Sequence, residues 1–389
     1  MFSGKTLAVI GANYLQLPLV LKARELGMRT LCFAWEEGAV CRDFADRFFP
    51  VSILEKEKIA RLCRQENIDA VTTIASDAAV PTVNFIAANL HLPGNSIHSG
   101  KLSTDKYAMR QALQTAGVLV PAFAVFRSPA EAAAAAEQLQ FPVIIKPVDR
   151  SGSLGVSCIT HPAQLAEAAK LALAVSFQHT GIVEQWVDFQ QEISVEGISH
   201  QGEYHLLAVT SKVTTGAPHY VELGHHQPAA LSPELMELIR QQVRHGVEAL
   251  QITCGASHAE LMLTADGHVF VTEIGARMGG DFIGSDLVQL STGYDYLQGV
   301  IECALGQFSG VNFSRQNAAG VWFYTRHTPE VGKLLRERPS FIVRGETDDS
   351  AELPELTCSG DRSGYIIYQT APDDPALSRL RDITFAAGK

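Results

Sequence analysis

The chain has 389 residues, 46% of them hydrophobic and 19% charged, enough to bury a sizeable core spread over two or three domains. A net charge of −11 speaks against nucleic acid and an anionic membrane as main partners, and leaves small anionic ligands only where local basic groups meet them. Seven scattered cysteines with no Cys-x-x-Cys, and no apolar run of about 18 residues, describe a reduced, soluble, cytoplasmic protein.

The first hundred residues alternate strand and helix. Thr6–Ile10 reads as a buried strand, Leu15–Leu26 as a helix stopped by Gly27, and Arg29–Phe33 and Asp69–Ile74 as further strands. That rhythm predicts a Rossmann-like domain with a parallel sheet over residues 1–100. Two nucleotide motifs fail here. Ser3-Gly4-Lys5-Thr6 lacks the first glycine of a P-loop. Gly11-Ala12-Asn13-Tyr14-Leu15-Gln16 puts Asn13 and Gln16 where a dinucleotide fingerprint needs glycines.

Thr104 and Asp105 can cap a helix over 106–116, and Pro129–Gln140, with five consecutive alanines, is a second helix. Phe141–Pro147 is a strand that delivers Lys146 to the turn Ser151-Gly152-Ser153-Leu154-Gly155. Backbone N–H groups of such a turn, two serine hydroxyls and a lysine suit phosphate oxygens. After a helix over 162–174, Ile182–Val187 is a strand, and 192–213 forms two strands turning at Gln201-Gly202. A Gly-, Pro- and His-rich loop spans 216–228, and a helix covers 233–249. Beyond Gly306 the pattern weakens into short strands and polar turns.

The segments 258–264 and 268–274 alternate around Asp266-Gly267, a strong hairpin signal. A two-residue turn there places Glu260 directly opposite Glu273. Like charges facing each other at about 5 Å need compensation. A divalent cation supplies it, and two carboxylates suit Mg²⁺; a turn one residue longer would instead leave one glutamate exposed. Adjacent His225 and His226 fall on opposite faces of any strand that contains them.

Taken together, Asp105-Lys106, Ile145-Lys146-Pro147, the 151–155 loop, Val183-Glu184-Gln185-Trp186-Val187, Glu192, Glu260, Glu273 and Arg277 resemble the ATP-grasp superfamily in order and spacing. The resemblance covers residues 1 to about 310. It implies a two-lobed α+β fold over 101–310, with a small lobe at about 118–186 and a large lobe at about 187–310, followed by a segment 311–389 that completes or caps the substrate end. It also implies ATP held by Lys106, Lys146, Ser151, Gly152, Ser153, Gly155, Glu184, Gln185, Trp186, Val187 and Glu192, with the hinge around Glu184 at the adenine and Glu192 at the ribose. Glu260 and Glu273 would hold one or two Mg²⁺ ions, with Mn²⁺ able to stand in. Catalysis would fall to Lys146 and Arg277. Gly275 departs from the pattern, since many relatives carry there an Asn that binds metal.

The implied reaction joins a small-molecule carboxylate to an amine through an acylphosphate. His219–His225 followed by Pro228 resembles bacterial L-amino-acid ligases, implying that Glu222 meets a substrate ammonium, with His225, Arg277, Gly279 and Gly280 around the substrate. A purine-pathway carboxylate–amine ligase, or a catalytically silent nucleotide-binding regulator, is the alternative. Relatives are often homodimers through the N-terminal domain.

Overall fold

The computed structural model describes residues 2–150, 152, 154–216, 219–347, 353–381 and 383. Strands β1 (Thr6–Ile10), β2 (Arg29–Ala34), β3 (Arg47–Pro50) and β4 (Ala70–Thr72) form a parallel sheet in the order β3-β2-β1-β4. All five β1 residues are buried because helices cover both faces, and this is why the strand reads as one apolar run. The chain order reverses beside β1, so the loops after β1 and β4 open a crevice at the carboxyl ends of the strands.

A second, four-stranded sheet contains β5 (Phe123–Phe126), β6 (Val143–Pro147), β7 (Ser157–Ile159) and β8 (Gly181–Gln185), in the order β5-β8-β6-β7. The alanine-rich helix Pro129–Ala136 and the helix Leu165–Val175 bury small side chains against it. Helix Lys106–Thr115 is capped by the Asp105 carboxylate, which accepts from the Ala108 amide, and joins this lobe to the rest.

The third sheet has eight strands: β9 (Gln191–His200), β10 (Glu203–Thr214), β11 (Glu222–Gln227), β12 (Gly255–Leu263), β13 (Val269–Gly275), β14 (Ala318–Phe323), β15 (Ile342–Thr347) and β16 (Gly364–Thr370). Their order is β13-β12-β9-β10-β11-β14-β16-β15. The chain beyond residue 311 therefore contributes three strands to the same sheet as residues 191–275. Weak alternation hid this, because every residue of β14 is buried. The 216–228 loop is likewise shorter than expected, since β11 begins at Glu222 and pairs on both sides. No helix among the described residues is long and apolar enough to cross a membrane.

The hairpin β12–β13 shows two offsets that cancel. The turn holds three residues, Ala265 to Gly267, closed by the Thr264 amide donating to the His268 carbonyl, with Gly267 at φ +84°. A bulge between Glu260 and Leu261 then shifts the ladder by one, and Glu260 comes to lie opposite Glu273 after all.

Candidate active site

The period-2 alternation of β9 turns Ile193 and Val195 into the core under helix Pro233–Ala249 and sets Glu192, Ser194 and Glu196 on the other face. Cross-strand register builds the site along that face. Glu260 lies opposite Ser194 and Glu273; His258 lies opposite Glu196 and Gly275; Lys212 lies opposite His225.

Lys212 is the centre of this array, and it was not foreseen. Its ammonium lies 2.6 Å from Glu192, 3.0 Å from Glu260 and 3.6 Å from Glu222. Burial alone would lower its pKa, but the three carboxylates raise it well above the ordinary value. Lys212 in turn holds Glu260 well below the usual carboxylate range. Glu192 moves the other way: burial raises it, since the one ammonium beside it is shared with Glu260 and Glu222.

The facing glutamates are thus already compensated by lysines. Glu260 pairs with Lys212, and Glu273 pairs with Lys106 at 3.1 Å. Each charge has its own ammonium, and both carboxylates remain oxygen donors on one face. Among the described residues no group of three or more Asp, Glu, His or Cys forms a full ligand set. Two carboxylates completed by phosphate oxygens and water match the habit of Mg²⁺.

Lys146 is held 2.6 Å from Glu184, which also pairs at 2.8 Å with Arg110, a fully buried residue. Burial pushes Glu184 up, yet the two cations bring it down to about 2. Lys146 moves below its ordinary value, through burial against the pull of Glu184 and with help from Arg110 and Lys106. The Glu184 carboxylate is thus shared by two cations, Lys146 and Arg110. Trp186 packs between Phe189 and Tyr220, at ring centroids 6.0 Å apart in each case. Lys106 donates to the Arg150 carbonyl at 2.8 Å, tethering the loop that follows Lys146. Ser151 and Ser153 lie outside the described residues; Gly152 and Gly155 adopt φ +65° and +75°, where a side chain would be strained.

Arg277 makes a two-point ion pair with Asp77 of the N-terminal domain, Nε to Oδ1 and Nη2 to Oδ2, both 2.8 Å. Gly275 is explained by this pair. A Cβ there would stand 2.6 Å from Asp77 Oδ1 and 3.2 Å from Arg277 Nε. A Cβ on Gly279 would meet Glu196 Oε1 at 2.5 Å and His258 Nδ1 at 2.8 Å, and the Gly279 amide donates to Glu196 at 3.0 Å. Glu196 pairs with His258 and, against the effect of burial, raises the imidazole to about 9. A Cβ on Gly280 would stand 3.5 Å from the Ala75 Cβ, an ordinary contact.

Glu222 receives the Ser359 hydroxyl at 3.3 Å as well as Lys212. His225 is buried with neither ring nitrogen hydrogen-bonded, and burial, Lys212 and Arg362 hold it well below its ordinary pKa, so it is neutral. His226 faces the other way, its Nδ1 2.9 Å from the Tyr368 hydroxyl.

The ATP-grasp domain family matches residues 139–286. The D-alanine–D-alanine ligase of Pseudomonas fluorescens is 30% identical over 206 residues, 49% of this chain and 59% of that one. The formate-dependent phosphoribosylglycinamide formyltransferase of Bacillus subtilis is 27% identical over 206 residues, 50% of this chain and 52% of that one. The chain spans about half the length of the curated relatives it matches. Among solved structures, the L-amino acid ligase of Bacillus licheniformis is similar over 98% of both chains, with 25% identity and a TM-score of 0.80.

Proposed function

We propose that this chain, whose residues 139–286 match the ATP-grasp domain family, is an ATP- and Mg²⁺-dependent ligase joining the carboxylate of an L-amino acid to an amine. The observation that carries this reading is the sharing of Lys212 by Glu192, Glu260 and Glu222. It brings the carboxylates assigned to ribose, metal and substrate ammonium to one point, as a donor carboxylate beside a γ-phosphate demands.

Bound magnesium would offset charge growing on the phosphoryl group in transit. Lys106 and Lys146 would exchange their carboxylate partners for phosphate oxygens, and Lys212 would do the same at the reacting end. Glu222, released from Lys212, would take the ammonium of the donor amino acid. Arg277, aimed by Asp77, would hold the acylphosphate and then the tetrahedral oxyanion with its planar fork. The backbone of Gln185 to Val187 would face the adenine, and the glycines of the 151–155 loop would let it close and exclude water.

The charges favour an amino acid over a ribose phosphate. Among the described residues, the cations at the substrate end, Lys212, Arg277 and Arg362, are each matched by a carboxylate. A zwitterion brings a charge of each sign to such pairs, so both members stay matched when partners are exchanged.

The test is Glu222→Gln, which keeps shape but removes charge. A charge-assisted hydrogen bond is worth about 1.5–3 kcal/mol, so kcat/KM for the donor should fall roughly 10- to 200-fold with ATP affinity nearly unchanged. An N-acetylated donor should be poor with either protein. If it works as well as the free amino acid, the reading is wrong.

A further inference from the structure

The chain beyond β14 reaches the substrate end through Ser359 and Arg362, which no part of the nucleotide site uses. Arg362 is almost fully buried, its side chain 7% exposed. Its guanidinium lies 3.8 Å over the Phe323 ring, and Nε donates to the Ser359 carbonyl at 2.8 Å. Both terminal nitrogens donate to the same oxygen of Asp281, Oδ2, at 2.9 Å. Asp281 lies four residues past Arg277. It and Phe282 hold φ +47° and +68°, two consecutive non-glycine residues in the left-handed region. Such strain persists where surrounding structure enforces it, and it gathers at ligand sites.

Three neighbours fix where this pair sits. Ser359 contacts Glu222. The Phe323 ring under the Arg362 guanidinium meets His225 edge-on at 5.9 Å between centroids, so the guanidinium stands beside the proposed donor site. Gly280, next to Asp281, lies against the loops after β1 and β4, since a Cβ there would stand 4.0 Å from Leu15 and 3.5 Å from Ala75, so the N-terminal domain borders the pair.

We propose that Arg362 and Asp281 form the acceptor subsite, receiving the head group of a second amino acid, its α-carboxylate on Arg362 and its amine on Asp281. The inference rests on the amino-acid ligase reading above and adds the identity of the amine. An ion pair buried this far resists ligands that satisfy only one partner, because the other is left without a counter-charge. A zwitterion satisfies both. An amine without a carboxylate satisfies Asp281 alone and leaves Arg362 buried and unmatched. Arg362 spends both terminal nitrogens on the single oxygen Oδ2 of Asp281, so the parallel two-oxygen fork in which a guanidinium grips a carboxylate best is left for a ligand carboxylate to complete. Asp281 has Oδ1 outside these contacts.

The experiment uses the full chain with ATP, Mg²⁺ and a donor amino acid, offering each acceptor either as the free acid or as its carboxamide. The wild type should prefer the acid about 10- to 200-fold in kcat/KM, the range one charge-assisted contact carries. Arg362→Gln should bring that ratio close to one, chiefly through the acceptor KM, and Arg362→Lys should restore part of it. A merely structural arginine would lower both acceptors alike. Equal use of acid and carboxamide by the wild type overturns the proposal without any variant. So does an acceptor ratio that survives in Arg362→Gln while acidic donors alone are lost, since the carboxylate would then belong to the donor side chain. Hydroxylamine trapping separates the two levels. Absence of a hydroxamate from every amino acid brings down the ligase reading and this inference with it. A hydroxamate without acceptor discrimination brings down the inference alone.

Discussion

Replacing Gly275 with alanine adds one methyl group at the junction of two domains. The new carbon would lie 2.6 Å from Asp77 Oδ1, inside the 3.0 Å that real Cβ atoms keep, and 3.2 Å from Arg277 Nε. Gly275 sits on a paired strand opposite His258, so the backbone has little room to retreat and Asp77 must yield. That loosens one of two charge-assisted hydrogen bonds, and the expected cost is about 1.5–3 kcal/mol in urea unfolding. In an Asp77→Ala background the obstacle is gone, so the same methyl should cost less by at least about 1 kcal/mol in a double-mutant cycle. Gly275→Asn should behave like alanine or worse, and should not increase the number of Mn²⁺ ions bound in the presence of ADP. Equal cost of Gly275→Ala in both backgrounds would falsify the steric account, and a second bound ion in Gly275→Asn would show that the asparagine site of relatives is available here.

Glu273→Gln should cut Mn²⁺ affinity and turnover sharply, and should destabilise the nucleotide-free protein by about 1–3 kcal/mol, because Lys106 loses its carboxylate; calorimetry showing unchanged Mn²⁺ affinity would refute the ligand role. Lys146→Ala should weaken ATP binding, whereas Lys5→Ala should leave it intact and cost no more than about 1 kcal/mol, since Lys5 makes only a half-exposed pair with Asp69. Equal loss of nucleotide affinity in both would misplace the phosphates. Glu184 has its pKa lowered to about 2 from an ordinary 4.5, so its contribution, roughly 3 kcal/mol, is complete above pH 4.5 and vanishes as pH falls through 2. Acid unfolding should therefore show wild type and Glu184→Gln converging over that interval; a constant gap between them would contradict it.

Local pattern made much of this legible. The buried run Thr6–Ile10 and the alternation Glu192-Ile193-Ser194-Val195-Glu196 announce a parallel strand and a two-faced antiparallel one, because burial on both faces or on one is written in successive residues. Arg110 was within reach. Lys106, Met109, Arg110 and Leu113 recur at helical spacing on the buried stripe, and two cations in such a stripe signal a buried acidic partner. Lys212 looked like an ordinary strand lysine, as its three partners come from three other strands. Asp77 lies 200 residues from Arg277, and nothing local ties a short turn after β4 to a strand end in another domain. The Glu260–Glu273 pairing was reached through a turn of the wrong length, and only the bulge at Glu260 made it true.

The placement of β11 between β10 and β14 has a practical consequence. A shortened protein ending near residue 310 would strip β14 away and leave Gly224 to Gln227 as an open edge of unpaired amides and carbonyls. Their former partners include the buried Trp322 and Val321, so the exposed flank would also lose its apolar cover. Bare edges of this kind recruit strands from other molecules. Such a fragment should precipitate or form mixed-register oligomers instead of behaving as a smaller nucleotide-binding unit.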